Sequence, residues 1–113
     1  DALVELFDVT PTLLDLLELP TPADLDARSF SRLLRGETGA HREYQIAQLP
    51  NTTCIRDGRL KAIHNPNDLA ELYDLAGDPH EATNVYDAAP DVYQAMMRVL
   101  RHDLAGGMAL NRE

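Results

Sequence analysis

The sequence predicts an α+β chain: a small antiparallel sheet of about four strands, covered by a carboxy-terminal helix and preceded by a separate helix. Three observations carry this. Residues 43–75 hold short runs that alternate or are rich in β-prone residues, separated by turn signals. Residues 88–105 carry apolar residues at helical spacing. Residues 10–18 carry a Thr-Pro start followed by a leucine-rich run that ends at Pro20.

The amino-terminal helix comes first. Leu3, Phe7, Thr10, Leu14 and Leu17 recur at steps of four and three. Thr10 is placed at the N-cap, Pro11 at the first helical position and the end near Glu18, with Pro20 and Pro22 as stops. Leu13, Leu14, Leu16 and Leu17 cover more than half its circumference, so it calls for burial on several sides. A loop rich in Pro and Asp follows over residues 20–28. Ser29 is expected to cap a short helix through Leu34, which Gly36 and Gly39 end.

The sheet region begins after Glu43. Tyr44–Ala47, Thr52–Arg56, Arg59–His64 and Leu69–Leu75 read as strands. Asp57-Gly58 reads as a two-residue hairpin turn that uses glycine's access to positive φ. Pro66 and its neighbouring Asn residues make the next turn. The final helix starts at Pro90 and is expected to stop at Gly106-Gly107, with a face made by Val92 or Tyr93, Met96, Val99 or Leu100, and Leu104. Residues 108–113 are expected to fray.

Composition bounds the function. The 113 residues suffice for one small core, 44% are hydrophobic, and no apolar run reaches the length of a membrane span. A formal net charge of −9 argues against nucleic acid or an anionic membrane as partner, because both demand cationic surface. Lys61 is the only lysine among ten basic residues. Cys54 is alone, which rules out an internal disulfide and a cysteine-built zinc knuckle. The chain does not begin with Met and carries no signal peptide, so the expectation is a piece of a longer protein.

Chemistry-bearing residues have plainer readings beside the functional ones. His41, His64, His80 and His102 form no ligand pair of the H-E-x-x-H kind. His80 lies near Asp78 and Glu81, yet Asp78-Pro79 is more economically a turn whose carboxylate bonds backbone N–H groups. Glu71, Asp74, Asp78 and Glu81 would need a cleft to act as an acid–base pair, and alternation puts Glu71 and Tyr73 opposite Leu72 and Asp74. Cys54 has no identifiable base and reads as a small buried hydrophobe. Met96-Met97 reads as core filling. The residues by themselves present no catalytic constellation.

Four segments do resemble a known family. Glu71-Leu72-Tyr73-Asp74-Leu75 with Asp78-Pro79, Glu81 and Asn84 is similar to the carboxy-terminal signature of the sulfatase family, within the alkaline-phosphatase-like superfamily. Asp8 through Pro20, with Pro11-Thr12-Leu13-Leu14-Asp15-Leu16, resembles the family's D-x-x-P-T-L-L-D-L-A-G-x-P segment. Asp26 to Gly36 resembles the D-G-R-S-L-x-P-L-L-x-G that follows. Cys54 to Ile63 resembles the strand pair V-R-x-G-x-x-K-Y-I. Departures are Glu18 and Ala27 where the family has Gly, and Ala62 where it has Tyr.

The resemblance implies a parent enzyme that hydrolyses sulfate esters or, in close relatives, phosphonate or phosphate monoesters. It implies a formylglycine nucleophile from a C/S-x-P/A-x-R motif, and a divalent cation of the calcium type held by Asp and Asn. Residues 54–58 lack that motif, so no catalytic or metal-ligating residue is expected here, and this segment alone is expected to be inactive. Residues 1–40 would be the end of the α/β catalytic domain and residues 41–113 the carboxy-terminal subdomain. The implied partners are the upstream catalytic domain and, for the parent, a small sulfate ester. The many-sided leucine face of residues 13–17 predicts self-association when that domain is missing. Lys61 and His64 are candidate rim residues for an anionic substrate, against a plainer role as exposed strand residues. The rival from another class is an autonomous α+β interaction module.

Overall fold

A computed structural model describes residues 2–110, with side chains described as far as Ala105. The chain divides into two compact units, residues 1–45 and 46–113.

In the first unit a 3-10 turn, Leu6–Asp8, leads directly into helix α1, Val9–Leu16. The helix begins earlier than its Thr-Pro signal suggests: Asp8, not Thr10, is the N-cap residue. Pro11 is therefore the third helical residue. That is tolerated because the first four N–H groups of a helix have no intrahelical acceptor, so the missing donor is not needed. The helix closes in a Schellman motif. Leu19 N–H donates to Leu14 O (2.9 Å) and Glu18 N–H to Asp15 O (3.3 Å). Glu18 takes the left-handed position, with φ of 57°.

The short helix α2, Ser31–Leu34, follows. Its N-cap is Phe30. Ser29 lies one residue further out and still accepts from Ser31 N–H at 3.2 Å. It ends in the same motif as α1, with Glu37 N–H donating to Arg32 O and Gly36 N–H to Leu33 O, both at 3.0 Å. Here the left-handed residue is Gly36, with φ of 91°. The two helix ends are one device built once with glycine and once with glutamate. An isolated antiparallel bridge joins Leu3 to Arg42.

The second unit is a meander. Strands β1 (Gln45–Leu49), β2 (Thr52–Arg56), β3 (Leu60–His64) and β4 (Glu71–Asp74) form one sheet in the order β1-β2-β3-β4. β2 and β3 pair antiparallel, with Ile55 opposite Ala62. β3 and β4 do likewise, with Ala62 opposite Leu72. The turn between β2 and β3 centres on Gly58-Arg59 rather than Asp57-Gly58. Asp57 N–H donates to Leu60 O (3.0 Å), and the Asp57 carboxylate accepts from the amides of Arg59 (2.7 Å) and Leu60 (2.6 Å). Positive φ in glycine is confined to Gly36 and Gly39 among the described residues. An aspartate side chain, not a left-handed glycine, makes this hairpin turn.

Helix α3, Pro90–Leu110, covers one face of the sheet. It continues through Gly106-Gly107, the expected stop; residues 111–113 of the expected fray lie outside the described residues. Tyr93, Met96, Met97 and Leu100 are its buried residues, whereas Val92 and Val99 are exposed. They pack over the cross-strand row Ile55–Ala62–Leu72, in which Ala62 is 0% exposed. The small side chain at 62 lets the helix approach, and the methionines fill the irregular space beside it. Tyr86 meets the Tyr93 ring edge-on, with centroids 5.1 Å apart. Among the described residues no helix is long and apolar enough to cross a membrane.

The left-handed Glu18 generates a prediction. A residue with a Cβ costs about 1–2 kcal/mol there, partly offset by the greater unfolded-state entropy of glycine. Glu18→Gly is expected to raise stability by roughly 0.5–1 kcal/mol in urea denaturation. A loss of stability would mean that the side chain, not the backbone, governs this position.

Candidate functional site

The most elaborate side-chain cluster surrounds Asp8, which is 0% exposed. The 3-10 turn places it at the N-cap of α1. Its Oδ1 accepts from Arg28 N–H (2.8 Å) and Arg42 Nη2 (2.5 Å). Its Oδ2 accepts from Glu5 N–H (2.9 Å) and Arg42 Nε (2.7 Å), and lies 3.1 Å from His41 Nε2. Burial alone would raise the Asp8 carboxyl, but the Arg42 guanidinium, the Arg28 and Glu5 amides and His41 outweigh it. They hold it well below the usual carboxylate range. His41 is fixed from its other side by Phe30, ring edge to face at 5.9 Å, and Arg42 lies 5.0 Å over the Phe7 ring.

The same helix face carries further polar ties. Thr12 Oγ1 donates to Asp8 O (2.6 Å) and accepts from Phe30 N–H (3.0 Å). Asp15 Oδ2 accepts from Ser29 Oγ (2.8 Å) and from the buried Ser31 Oγ. Those two hydroxyls lower the Asp15 carboxyl. Arginine and amide donors saturate Asp8, and serine hydroxyls engage Asp15. Neither offers lone pairs converging on an empty point, so this cluster organises backbone and does not cradle a cation.

The candidate rim residues fall apart in space. Three positions along one strand place Lys61 and His64 on opposite faces of the sheet. Lys61 lies on the face away from α3, and both Glu81 oxygens accept from its ammonium, at 2.9 and 2.7 Å. Glu81 reaches it from a left-handed backbone position, φ 56°. His64 is exposed on the other face, with Nδ1 3.3 Å from the Tyr93 hydroxyl. The structure therefore does not bring the pair together.

The acidic signature around β4 resolves into structural ties. Tyr73 donates its hydroxyl to Glu71 Oε2 (2.5 Å), and that bond, with burial and nearby carboxylates, pushes the phenol up to about 12. Glu71 Oε1 accepts from Asn65 Nδ2 (3.0 Å). Asp74 is bridged by Arg59 (2.5 Å), and Asp78 accepts from Thr83 N–H (2.8 Å), the turn role expected of it. Asn84 closes the edge of β4: its Oδ1 accepts from Leu72 N–H and its Nδ2 donates to Ala70 O, both at 3.0 Å. Val85 N–H continues that edge by donating to Leu72 O at 2.8 Å. Cys54 is half-buried, and burial pushes its thiol up, the opposite of what a nucleophile needs.

Among the described residues no group of three or more His, Cys, Asp or Glu side chains is arranged to hold a metal ion. The residues present thus do not fit the cation that the resemblance implies, nor the formylglycine motif.

Residues 1–108 match the family model described as N-sulphoglucosamine sulphohydrolase, C-terminal. The chain belongs to the sulfatase family. It is that family's carboxy-terminal region, within the alkaline-phosphatase-like superfamily. It is 27% identical to arylsulfatase K of Rattus norvegicus over 116 residues, covering 88% of this chain and 21% of that one. Among solved structures it is similar to a chain studied for the metabolism of multiple glycosaminoglycans by Bacteroides thetaiotaomicron. That match has a TM-score of 0.70 and 31% identity, and covers 84% of this chain and 24% of that one. It is also similar to the phosphonate monoester hydrolase of Agrobacterium radiobacter, with a TM-score of 0.67 and 27% identity, covering 88% and 24%. This sulfatase region thus spans about a fifth to a quarter of the length of these relatives.

The Asp8 cluster was half visible in the sequence. Asp8 was found as the leading acid of a motif; His41 and Arg42 were not, because nothing local connects them to it across 33 and 34 residues. The resulting prediction concerns acid stability. The folded carboxyl lies below its unfolded value of about 3.9, so its contribution is present above that pH and is lost as pH falls below about 4. Asp8→Asn is expected to cost about 3 kcal/mol near neutrality, because it removes the charge from a fully buried position whose ion pair with Arg42 offsets its burial. The difference between the two proteins should shrink below about pH 4 in urea titrations at stepped pH. A difference that stays constant with pH would show that Asp8 acts through shape and not charge.

Proposed function

We propose that this chain is the carboxy-terminal part of a hydrolase of sulfate esters, and that chemistry resides in a catalytic domain upstream in the same polypeptide. The observation that carries the reading is the family match over residues 1–108 combined with coverage of only about a quarter of the solved relatives. In this reading residues 1–40 are the end of the α/β catalytic domain and residues 41–113 are the subdomain packed on it. The parent uses formylglycine and a divalent cation of the calcium type; both belong upstream, consistent with the absence of a fitting ligand set among the described residues.

Lys61 and His64 are proposed as rim residues toward an anionic substrate, each from its own face of the sheet, Lys61 held by Glu81 and His64 beside the Tyr93 hydroxyl. Of the two, His64 is the freer, because Lys61 is engaged by Glu81. The likeness to a phosphonate monoester hydrolase supports a second reading, hydrolysis of phosphonate or phosphate monoesters, for the parent.

Turnover assays separate these. The 113-residue chain should release no nitrophenol from nitrophenyl sulfate, with or without calcium and the formylglycine-generating enzyme. The full polypeptide should do so in a metal-dependent manner and prefer the sulfate over a nitrophenyl phosphonate. Metal-dependent turnover by the short chain would refute the assignment of chemistry to the upstream domain. Preference for the phosphonate would select the second reading. An autonomous interaction module predicts no hydrolysis by either protein.

A further inference from the structure

The tip of the hairpin between β1 and β2 reads Pro50-Asn51-Thr52-Thr53. Of the five asparagines in the chain, Asn51 alone has a hydroxyl residue two positions on, with no proline between. That is the acceptor pattern for N-linked glycosylation. The pattern needs a surface turn, because a bulky glycan must stay in water once the chain has folded. Asn51 meets that condition: it is exposed in the turn, with β1 ending at Leu49 and β2 starting at Thr52. The plainer reading of an asparagine here is a turn-former, acting through a left-handed backbone or through its side-chain amide. Neither applies. Positive φ among the described non-glycine residues is confined to Glu18 and Glu81, and no hydrogen bond ties the Asn51 side chain to the described residues. Asn65, by contrast, spends its amide on Thr52 and Glu71, and Asn84 on Leu72 and Ala70. The two threonines differ as well. Thr52 Oγ1 donates to Asn65 Oδ1 at 2.7 Å, whereas the Thr53 hydroxyl, the one the pattern requires, is neither committed in this way nor sealed from water.

We propose that Asn51 is the attachment site of an N-linked glycan, which shields the exposed end of β1. The donor is a lipid-phosphate-linked saccharide. In the transfer Asn51 Nδ2 forms a bond to the anomeric carbon and gives up one proton. The bond from that carbon to the lipid phosphate breaks, and the phosphate leaves with the bonding pair. Thr53 supplies the hydroxyl by which the transferase recognises the acceptor. This inference is independent of which ester the parent hydrolyses, and it places the polypeptide in the compartment that holds the donor. The sheet shows what the glycan would do. Its β4 edge is closed by Asn84 and Val85. β1 lies at the other end of the strand order, and residues 47–49 are exposed, Leu49 at 68%. An exposed edge strand invites pairing with another chain unless charges, proline or a cover oppose it. The five residues of β1, Gln45–Leu49, include no charged side chain. A hydrated glycan two residues beyond Leu49 supplies the missing cover.

The test is peptide mass spectrometry of the full polypeptide purified from its own cells. The peptide bearing Asn51 should carry a saccharide, and an amidase that releases N-linked glycans in heavy-oxygen water should turn Asn51 into a labelled aspartate. Recovery of that peptide in unmodified form alone would overturn the proposal. Variants expressed in the same cells check the pattern. Asn51→Gln and Thr53→Ala should each abolish the saccharide, whereas Thr53→Ser should keep it. Thr52→Ala should keep it too, although it loses the bond to Asn65. Attachment that survives Thr53→Ala would show that the Thr53 hydroxyl does not direct it and would overturn the proposal as well. Amidase release from the folded polypeptide should raise concentration-dependent association in sedimentation severalfold. Release without any change in association would overturn the shielding role.

Discussion

A carboxylate removed from water must find donors for its lone pairs and a compensating charge, or it will not stay ionised. Asp8 meets both conditions with five contacts drawn from Glu5, Arg28, His41 and Arg42. Those residues lie before, just after and well beyond α1 in the chain. One side chain therefore ties together three stretches that have little apolar packing to hold them. The Leu-rich residues that would ordinarily form a core in this unit, including Leu13, Leu16 and Leu17, point outward. Thr12 and Asp15 extend the same polar seam along α1 to residues 29–31. The first unit is organised from a polar interior outward, and its apolar surface follows from that constraint.

The second unit is built the ordinary way. Ile55, Ala62 and Leu72 stand in one cross-strand row beneath Tyr93, Met96, Met97 and Leu100. Its charged groups and one amide side chain are used at the periphery: Lys61 with Glu81, Arg59 with Asp74, and Asp78 and Asn84 on backbone amides. The family signature from Glu71 to Asn84 is thus a set of strand-edge and turn ties. Asn84 and Val85 close the β4 edge, which prevents that edge from recruiting another strand. None of these residues is arranged for catalysis.

How much of this could be read from residues alone depends on range. The four strands and the α3 face were legible because alternation and helical spacing are local, and the helix selected Tyr93 and Leu100 over their neighbours Val92 and Val99. The turn role of Asp78 was legible because an Asx turn reaches only a few residues. α1 starts ahead of its Thr-Pro signal because the 3-10 turn before it moves the boundary to Asp8, which local sequence does not reveal. The turn at Gly58 departs from the Asp-Gly expectation because an aspartate carboxylate supplies the closure that glycine usually allows. His41 and Arg42 are illegible as Asp8 partners because they lie more than thirty residues away. Lys61 and His64 looked like neighbours in sequence, and strand alternation separates them.

One buried carboxylate holds the first unit together as a single cooperative structure. Residue-resolved hydrogen exchange of the 113-residue chain tests it most directly. The amides of Glu5 and Arg28, which donate to Asp8, and of Phe30, which donates to Thr12, should exchange with one common opening free energy. All three should lose protection together in Asp8→Asn. Three unrelated protection values, or protection of Phe30 that survives the substitution, would contradict the account.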